Sequence, residues 1–325
     1  MKRLVLIGPG NIAKFHVDAL KLFDFDVVGC ISRIGSESSN KFMSTYGKSQ
    51  TEYFSTLDSM LENLDSWDAA LICCPSKDQL YYINALFLSG KPILVEKPIS
   101  TSLNNLQKYK NNKNIMVAFN RRYYESVDKF KSFINTEKDF FVNVNIPESS
   151  LSVNQKSPSN FLPNGVYENS IHVFDLINYM FNNVKWNNTI SKLSNKSNFI
   201  SAHGICNETT PINMNIMIDS PENFSISANF SDHKIELKPI EIFRHFHGFK
   251  VDEPTDLIPI RRYSPRVTEE LYSESYNNCK PGFYRQAKTF ADLCEGKKNI
   301  TFPSISDAYN AIKSIDGISN LLKAT

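Results

Sequence analysis

Leu4-Val5-Leu6-Ile7-Gly8-Pro9-Gly10-Asn11-Ile12-Ala13-Lys14-Phe15-His16 is the stretch that decides the fold of this chain. Its first four residues carry no charge and read as a strand buried on both faces, as in a parallel sheet. The run breaks at a Gly-x-Gly turn, and Ala13 stands where the third small residue of a dinucleotide fingerprint belongs. Ile12 to Leu20 then reads as a helix. Gly8 permits the tight turn, Gly10 lets backbone approach a pyrophosphate, and Ala13 lets helix and strand pack closely. The first N–H groups of the helix then point at the phosphates. A Gly-rich turn alone is a weak signal and also fits an ordinary strand–turn. Here strand, spacing and following helix agree, so Gly8, Pro9, Gly10, Asn11 and Ile12 are read as cofactor-binding positions.

Length and composition bound what else the chain can be. Its 325 residues suffice for two domains with their own cores. Hydrophobic residues make up 41% and charged residues 22%, and 36 basic against 34 acidic side chains leave a formal charge of +2. No field of one sign favours nucleic acid, and the aromatic residues are not interleaved with a basic patch. The longest apolar runs fall far short of the ~18 residues that read as a membrane span. The run after Met1-Lys2-Arg3 ends too soon for the apolar core of a signal peptide. Cys30, Cys73, Cys74, Cys206, Cys279 and Cys294 lack metal-like spacing and read as reduced thiols of a cytoplasmic protein. Neither nucleic acid nor membrane is an expected partner.

Phe25-Asp26-Val27-Val28-Gly29-Cys30-Ile31 reads as the second parallel strand and ends in Ser32-Arg33. An acidic residue at this strand end would hydrogen-bond an adenosine ribose diol, and none is there. A hydroxyl followed by arginine suits a 2′-phosphate, because a guanidinium offers paired donors to phosphate oxygens. Ser32 and Arg33 therefore lean the cofactor toward NADP over NAD; a solvent-facing Ser-Arg loop is the plainer alternative. Helices are predicted over Lys41–Tyr46, from a capped start at Ser55-Thr56-Leu57, over Lys77–Leu88 with Gly90 as its stop, and over Leu103–Tyr109. They alternate with strands at Ala69–Cys74, closed by Pro75, at Pro92–Val95 and at Ile115–Phe119. Strands alternating with helices imply an α/β, doubly wound parallel sheet of the Rossmann type over residues 1–120.

Past residue 120 the texture changes. Asp139–Ile146, Ile212–Ile218, Phe224–Phe230 and Lys234–Ile240 alternate apolar and polar residues, the pattern of half-buried strands in an antiparallel sheet. A Ser/Asn/Pro-rich segment from Glu148 to Pro163 reads as a loop that could cover a site. Gly165–Phe181 is the clearest helix of this half, and Gly282–Cys294 and Ser306–Leu322 read as helices packing back on the first domain. Residues 121–325 are thus expected to form an α+β substrate and oligomerisation domain with an open-faced antiparallel sheet. Such a face often means a homodimer or homotetramer.

These residues together resemble the Gfo/Idh/MocA family of NAD(P)-dependent oxidoreductases, which includes glucose–fructose oxidoreductase and inositol dehydrogenase. The resemblance runs over essentially the whole chain. It is carried by Gly8-Pro9-Gly10-Asn11-Ile12-Ala13 with His16, Cys74-Pro75-Ser76, Glu96-Lys97-Pro98, Asn120-Arg121-Arg122-Tyr123, and Glu168-x-x-x-His172-x-x-Asp175. It implies a Rossmann domain followed by an α+β domain, substrate bound between them, and cofactor contacts at Cys74, Pro75, Glu96, Lys97 and Asn120. The implied reaction is hydride transfer between nicotinamide and a carbinol or ketone carbon of a sugar or nucleotide-sugar substrate. Same-fold alternatives are a reductase of a non-sugar carbonyl or imine and a non-catalytic sensor of the sugar-regulon type. Retention of both Lys97 and His172 argues against the sensor.

Lys97 falls at the carboxyl end of a parallel strand, where open α/β sheets bind ligands. Proline after it can fix an unusual backbone, a cis peptide included. The family places its catalytic lysine here, and an ammonium at this point stabilises the alkoxide that develops as hydride leaves. Glu168 and His172, four apart on the predicted helix, share a face, with Asp175 three further on. His172 is expected to carry the hydroxyl proton and Glu168 to orient it. The family has Asp at the first of these positions and a glycine run before the helix; this chain has Glu168 and only Gly165. Gln79 stands where the family often has His, and is expected to remain a cofactor-side contact. Tyr284 matches a position where the family often brings an aromatic toward the nicotinamide, and equally fits a residue packing on the core. Arg122 is the first candidate for an anionic substrate group, with Arg261 and Arg262 behind it; Lys97, Arg122, Glu168 and His172 form the substrate set. His245-Phe246-His247 is an i, i+2 pair with no third ligand nearby, so no metal site is expected. No nucleophile elbow is present.

Overall fold

The computed structural model describes residues 1–33, 37–46, 55–149, 162, 164–193 and 198–324. The chain divides into two compact units, Met1–Tyr123 with Ser275–Lys313, and Tyr124–Glu274 with Ser314–Thr325.

In the first unit, β1 (Lys2–Ile7), α1 (Asn11–Lys21), β2 (Phe25–Ile31), α2 (Ser38–Tyr46), α3 (Leu57–Glu62), β3 (Ala69–Ile72), α4 (Ser76–Phe87), β4 (Ile93–Val95), α5 (Leu103–Gln107) and β5 (Ile115–Val117) follow one another in the expected alternation. The five strands pair in parallel in the order β2-β1-β3-β4-β5. Leu4 to Ile7, Ala69 to Ile72, and Ile93 to Val95 are all buried, because helices cover both faces of a parallel sheet and leave no solvated side to alternate with. The capped start of α3 is explicit: Thr56 Oγ1 accepts the Ser59 N–H at 3.2 Å. Further along the chain, α9 (Phe283–Cys294) belongs to this unit. Its Phe283, Ala287, Phe290 and Ala291 share one buried cluster with Ala13, Val17 and Leu20 of α1.

The second unit holds α6 (Glu125–Thr136), β6 (Phe141–Glu148), α7 (Asn164–Glu168), α8 (Ile171–Met180), β7 (Lys185–Leu193), β8 (Asn198–Cys206), β9 (Thr210–Ile218), β10 (Ser225–Asn229), β11 (His233–Leu237), β12 (Ile242–Asp252) and β13 (Arg262–Tyr272). The boundary between the units falls inside α10 (Ile305–Ala324). The eight strands order as β13-β12-β11-β10-β6-β9-β8-β7. Every neighbouring pair is antiparallel except β6 and β9, which run parallel. The sheet is therefore mostly, rather than wholly, antiparallel. Val142, Val144 and Ile146 of β6 and Ile212, Met214 and Ile216 of β9 point into the core. The opposite face carries a polar ladder, in which Asn213 Nδ2 donates to Asn143 Oδ1 at 3.4 Å and Asn215 Nδ2 to Asn145 Oδ1 at 3.2 Å.

Two expectations change here. Strands β7, β8, β12 and β13 are additions to the expected set: β7 is mostly polar, β8 alternates only over a short stretch in which Ile200 and Ala202 are buried, and β12 and β13 are largely exposed, so cross-strand pairing defines them. The continuous helix over Gly165–Phe181 is two helices, α7 and α8, broken at Asn169-Ser170. Glu148, the last residue of β6 rather than the start of a loop, holds the break: its buried carboxylate accepts the Ser170 hydroxyl at 2.6 Å. Residues 150–161 and 163 of the expected covering loop lie outside the described residues.

Candidate functional site

The carboxyl end of β1 opens into the turn that the sequence singled out. Gly8 has φ +87°, and a Cβ there would lie 2.5 Å from the backbone N of Cys74 and 2.6 Å from its Cα. Only glycine fits, for both reasons. A Cβ on Gly10, by contrast, would meet nothing within 4 Å. Gly10 caps α1 in extended conformation without a side-chain cap, and the first turn of α1 contains no acidic residue. An uncapped helix N-terminus facing open space beside a close-packed glycine turn fits the pyrophosphate of a dinucleotide. Gly8 and Pro9 are half-buried, Gly10 and Asn11 exposed, and Ile12 half-buried against the core.

Two further strand ends belong to this edge. After β3, Cys74 is buried, and Gln79, also buried, donates from Nε2 to the Cys74 carbonyl at 3.1 Å. Gln79 thus braces the loop that carries Cys74 and Pro75. Burial, with Asp78 adding to it, pushes the Cys74 thiol up to about 12, and burial with Glu96 beside it pushes Cys73 well above the usual thiol range. Both are neutral packing groups at working pH. After β4, His16 of α1 donates from Nε2 to Glu96 Oε1 at 2.7 Å, and Glu96 Oε2 accepts the backbone N–H of Lys97 at 3.2 Å. The buried imidazole of His16 lies against Phe283, ring centroids 4.8 Å apart. This relay ties Lys97 to the helix that follows the glycine turn. Lys97 is half-buried, and its peptide bond to Pro98 is cis.

At the end of β2, Ser32 Oγ donates to Ser39 Oγ of α2 at 3.1 Å, and Arg33 is exposed. Asn120 Nδ2 donates to the Pro281 carbonyl at 3.4 Å. Two expected site residues take other parts. Arg122 is buried, with its guanidinium 2.9 Å from Asp307 Oδ1, so its charge is paired inside the unit rather than held open for an anionic substrate. Asp307 also accepts the N–H and hydroxyl of Ser304 at 2.7 and 2.6 Å. Burial raises its carboxyl pKa, but Arg122 and Ser304 outweigh that and hold it below the usual range. Tyr284 packs against Phe23 and Tyr276 with its ring tilted to both, centroids 5.0 and 4.4 Å away. Phe23 follows the C-terminal end of α1, about 17 Å along the helix from the glycine turn at 1.5 Å per residue. Tyr284 therefore packs at the far end of α1, and Phe283 is the aromatic that reaches the His16 relay. The relay had a signal in the sequence, His16 with Glu96; Phe283 had none beyond adjacency.

In the second unit His172 is buried in the first turn of α8, and Asp175, one turn on, is buried more deeply still. Glu168 is exposed at the end of α7, on the other side of the Asn169-Ser170 break. The i, i+4 relation between Glu168 and His172 therefore does not hold, because they do not share one helix. Asp175 is the carboxylate that stands at i+3 from His172 on the same helix. Arg261 pairs with Glu253 at 2.7 Å in the exposed β12–β13 connection. The expectation that His245 and His247 lack a third ligand also fails: His233 of the neighbouring strand brings a ligand atom within 4.8 Å of theirs.

Residues 2–115 match the family described as an oxidoreductase family with an NAD-binding Rossmann fold, GFO_IDH_MocA. No curated protein sequence matches the chain. Among solved structures, a putative NADPH-dependent oxidoreductase from Desulfitobacterium hafniense superposes with a TM-score of 0.77 at 14% identity, over 100% of this chain and 96% of the other. The WlbA dehydrogenase from Bordetella pertussis, solved in complex with NADH and UDP-GlcNAcA, gives 0.73 at 14% identity over 99% and 96%. UDP-N-acetylglucosamine 3-dehydrogenase GnnA from Acidithiobacillus ferrooxidans gives 0.70 at 12% identity over 99% and 98%. At such identities the likeness is one of fold. Among the described residues, no helix is long and apolar enough to cross a membrane.

Proposed function

We propose, from the match of residues 2–115 to an oxidoreductase family with an NAD-binding Rossmann fold, that the chain is an NAD(P)-dependent dehydrogenase or reductase acting on a CH–OH carbon of a sugar or nucleotide sugar. The observation that carries the proposal is the relay from His16 through Glu96 to Lys97, at the same strand edge as the Gly8–Gly10 turn. A helix-anchored carboxylate that fixes the lysine backbone is the construction a positioned alkoxide stabiliser requires.

NAD(P), when bound, supplies a nicotinamide ring that accepts or donates hydride. Gly8, Pro9, Gly10, Asn11 and Ile12 would hold its pyrophosphate, Ser32 and Arg33 the 2′-phosphate of NADP, and Cys74, Pro75, Glu96 and Asn120 line the remaining strand ends. The Lys97 ammonium hydrogen-bonds the substrate oxygen and stabilises negative charge on it. His172 takes the hydroxyl proton in oxidation and returns it in reduction, and Asp175, one helical turn away, orients the imidazole. The nucleotide-sugar preference is supported by the ligands and substrates named for the B. pertussis and A. ferrooxidans proteins. Exposed Phe249, Val251, Tyr263 and Val267 on the β12–β13 hairpin support self-association as a homodimer or homotetramer.

The test is turnover of a panel of UDP-sugars with NADPH or NADP, followed by nicotinamide absorbance. Lys97→Ala should lower kcat by roughly 10²–10³-fold, the cost of removing one such stabilising group. Full turnover in Lys97→Ala overturns the mechanism. Tight cofactor binding without turnover on any sugar overturns the substrate class.

A further inference from the structure

β11 and β12 are antiparallel neighbours, and their register sets His233 directly opposite His247. His245 is two residues before His247 and so shares its face of the sheet. Directly opposed and diagonal positions of an antiparallel pair are close enough for side chains to meet. Three imidazoles converge as a result, with one ligand atom from each lying within 4.8 Å of the others. The ring centroids of His233 and His245 are 5.1 Å apart, edge to face, and each lies 6.4 Å from that of His247.

The contacts around two of the rings suit Nε2 as the ligating nitrogen. His233 Nδ1 is 2.8 Å from Asp232 Oδ1, a carboxylate that can accept the Nδ1–H of the tautomer whose Nε2 is free to ligate. Thr268 donates its hydroxyl to the His245 carbonyl at 3.1 Å and can accept from His245 Nδ1 at 3.0 Å, the tautomer that offers Nε2 to a metal. Both Nε2 atoms are buried without a hydrogen-bond partner among the described residues. Glu137, at the end of α6, brings Oε1 to 3.3 Å from His233 Nε2, although off the line of a hydrogen bond. Asp232 Oδ2 lies 4.0 Å from His247 Nδ1. Two buried Nε2 atoms, each on a ring whose other nitrogen meets an oxygen group, are the arrangement of metal-ligating histidines.

We propose that His233, His245 and His247 bind one divalent transition-metal ion, zinc by the chemistry of the ligands, with Glu137 as the fourth ligand. Three neutral imidazoles and a carboxylate make a borderline-soft, tetrahedral donor set. Bonds of about 2.0–2.1 Å give tetrahedral edges of roughly 3.3 Å. The Glu137–His233 separation already has that length, and the imidazoles close from 4.8 Å by side-chain rotation. The ion would clip β11, β12 and the end of α6 together.

The full chain, stripped with chelator, is titrated with Zn²⁺ by calorimetry and with Co²⁺ by visible absorption. The expected result is one equivalent bound, an intense tetrahedral Co²⁺ spectrum, and a higher thermal transition with metal. His247 is half exposed, so His247→Ala should keep the unliganded thermal transition while losing more than ~100-fold in affinity. Asp232→Asn, which leaves all ligands in place, should lose roughly 10–100-fold, the usual effect of removing a group that orients a ligand. His203→Ala, on a distant strand, should bind as wild type. Absence of stoichiometric binding overturns the proposal. So does binding that His247→Ala and Asp232→Asn leave unchanged, or that is lost only in His203→Ala.

Discussion

Replacing Gly8 or Gly10 by alanine separates stability from cofactor binding at one turn. At Gly8 the backbone sits at φ +87°, and the new methyl would be 2.5 Å from the Cys74 nitrogen, against an ordinary contact of 3.4–4 Å. The left-handed conformation costs a non-glycine residue about 1–2 kcal/mol. Relieving the overlap means moving backbone in a close-packed strand end, which costs about 1–3 kcal/mol. Reduced freedom of the unfolded chain returns about 0.4–1 kcal/mol. A net loss of about 3 kcal/mol in a domain of this size lowers the thermal midpoint by roughly 6–12 °C. At Gly10 the methyl meets nothing and the backbone is extended, so Gly10→Ala should cost only the weaker capping of alanine, about 0.5–1 kcal/mol, or a few degrees of midpoint at most. Its methyl instead occupies the space in front of α1, and NADP(H) affinity, measured by fluorescence titration, should fall at least ~10-fold, about 1.4 kcal/mol. A Gly8→Ala variant as stable as wild type would refute the packing argument. A Gly10→Ala variant with wild-type affinity would refute the placement of the pyrophosphate.

Arg122→Met strands the Asp307 carboxylate and should cost about 2–3 kcal/mol in denaturant unfolding, less than a fully buried pair because Asp307 keeps 29% exposure. Asp307 also gives an acid limb: its pKa is depressed on folding, so its contribution is full above the unfolded value of about 3.9 and fades as pH falls through the folded value. Asp307→Asn should be less stable at neutral pH and lose less on acidification, a difference that unfolding curves across that range would expose. Ser170→Ala removes the hydroxyl bound to the buried Glu148 carboxylate and should cost about 1.5–3 kcal/mol. Arg33→Ala should raise KM for NADPH about 10-fold with NADH unaffected; equal effects on both cofactors would remove the case for a 2′-phosphate contact.

What the sequence determined by itself is local. The uncharged run Leu4–Ile7, the glycine turn and the alternation to residue 120 specify a parallel sheet, because strands covered on both faces need unbroken apolar runs and the turn needs Gly8. Lys97, His16 and Glu96 were visible as motif residues for the same reason: each sits at a strand end or on the first helix. Tertiary structure decided the rest. Glu168 and His172 read as helical neighbours until Glu148, distant in sequence, was found to pin Ser170 and break the helix between them. Arg122 looked available until Asp307, from α10, was found beside it. The His245–His247 pair looked incomplete because its third member stands across a strand pair whose register depends on the whole sheet. Period and spacing report what one element does with its own side chains. Partners from other elements are chosen by packing and register, and no single stretch of sequence encodes them.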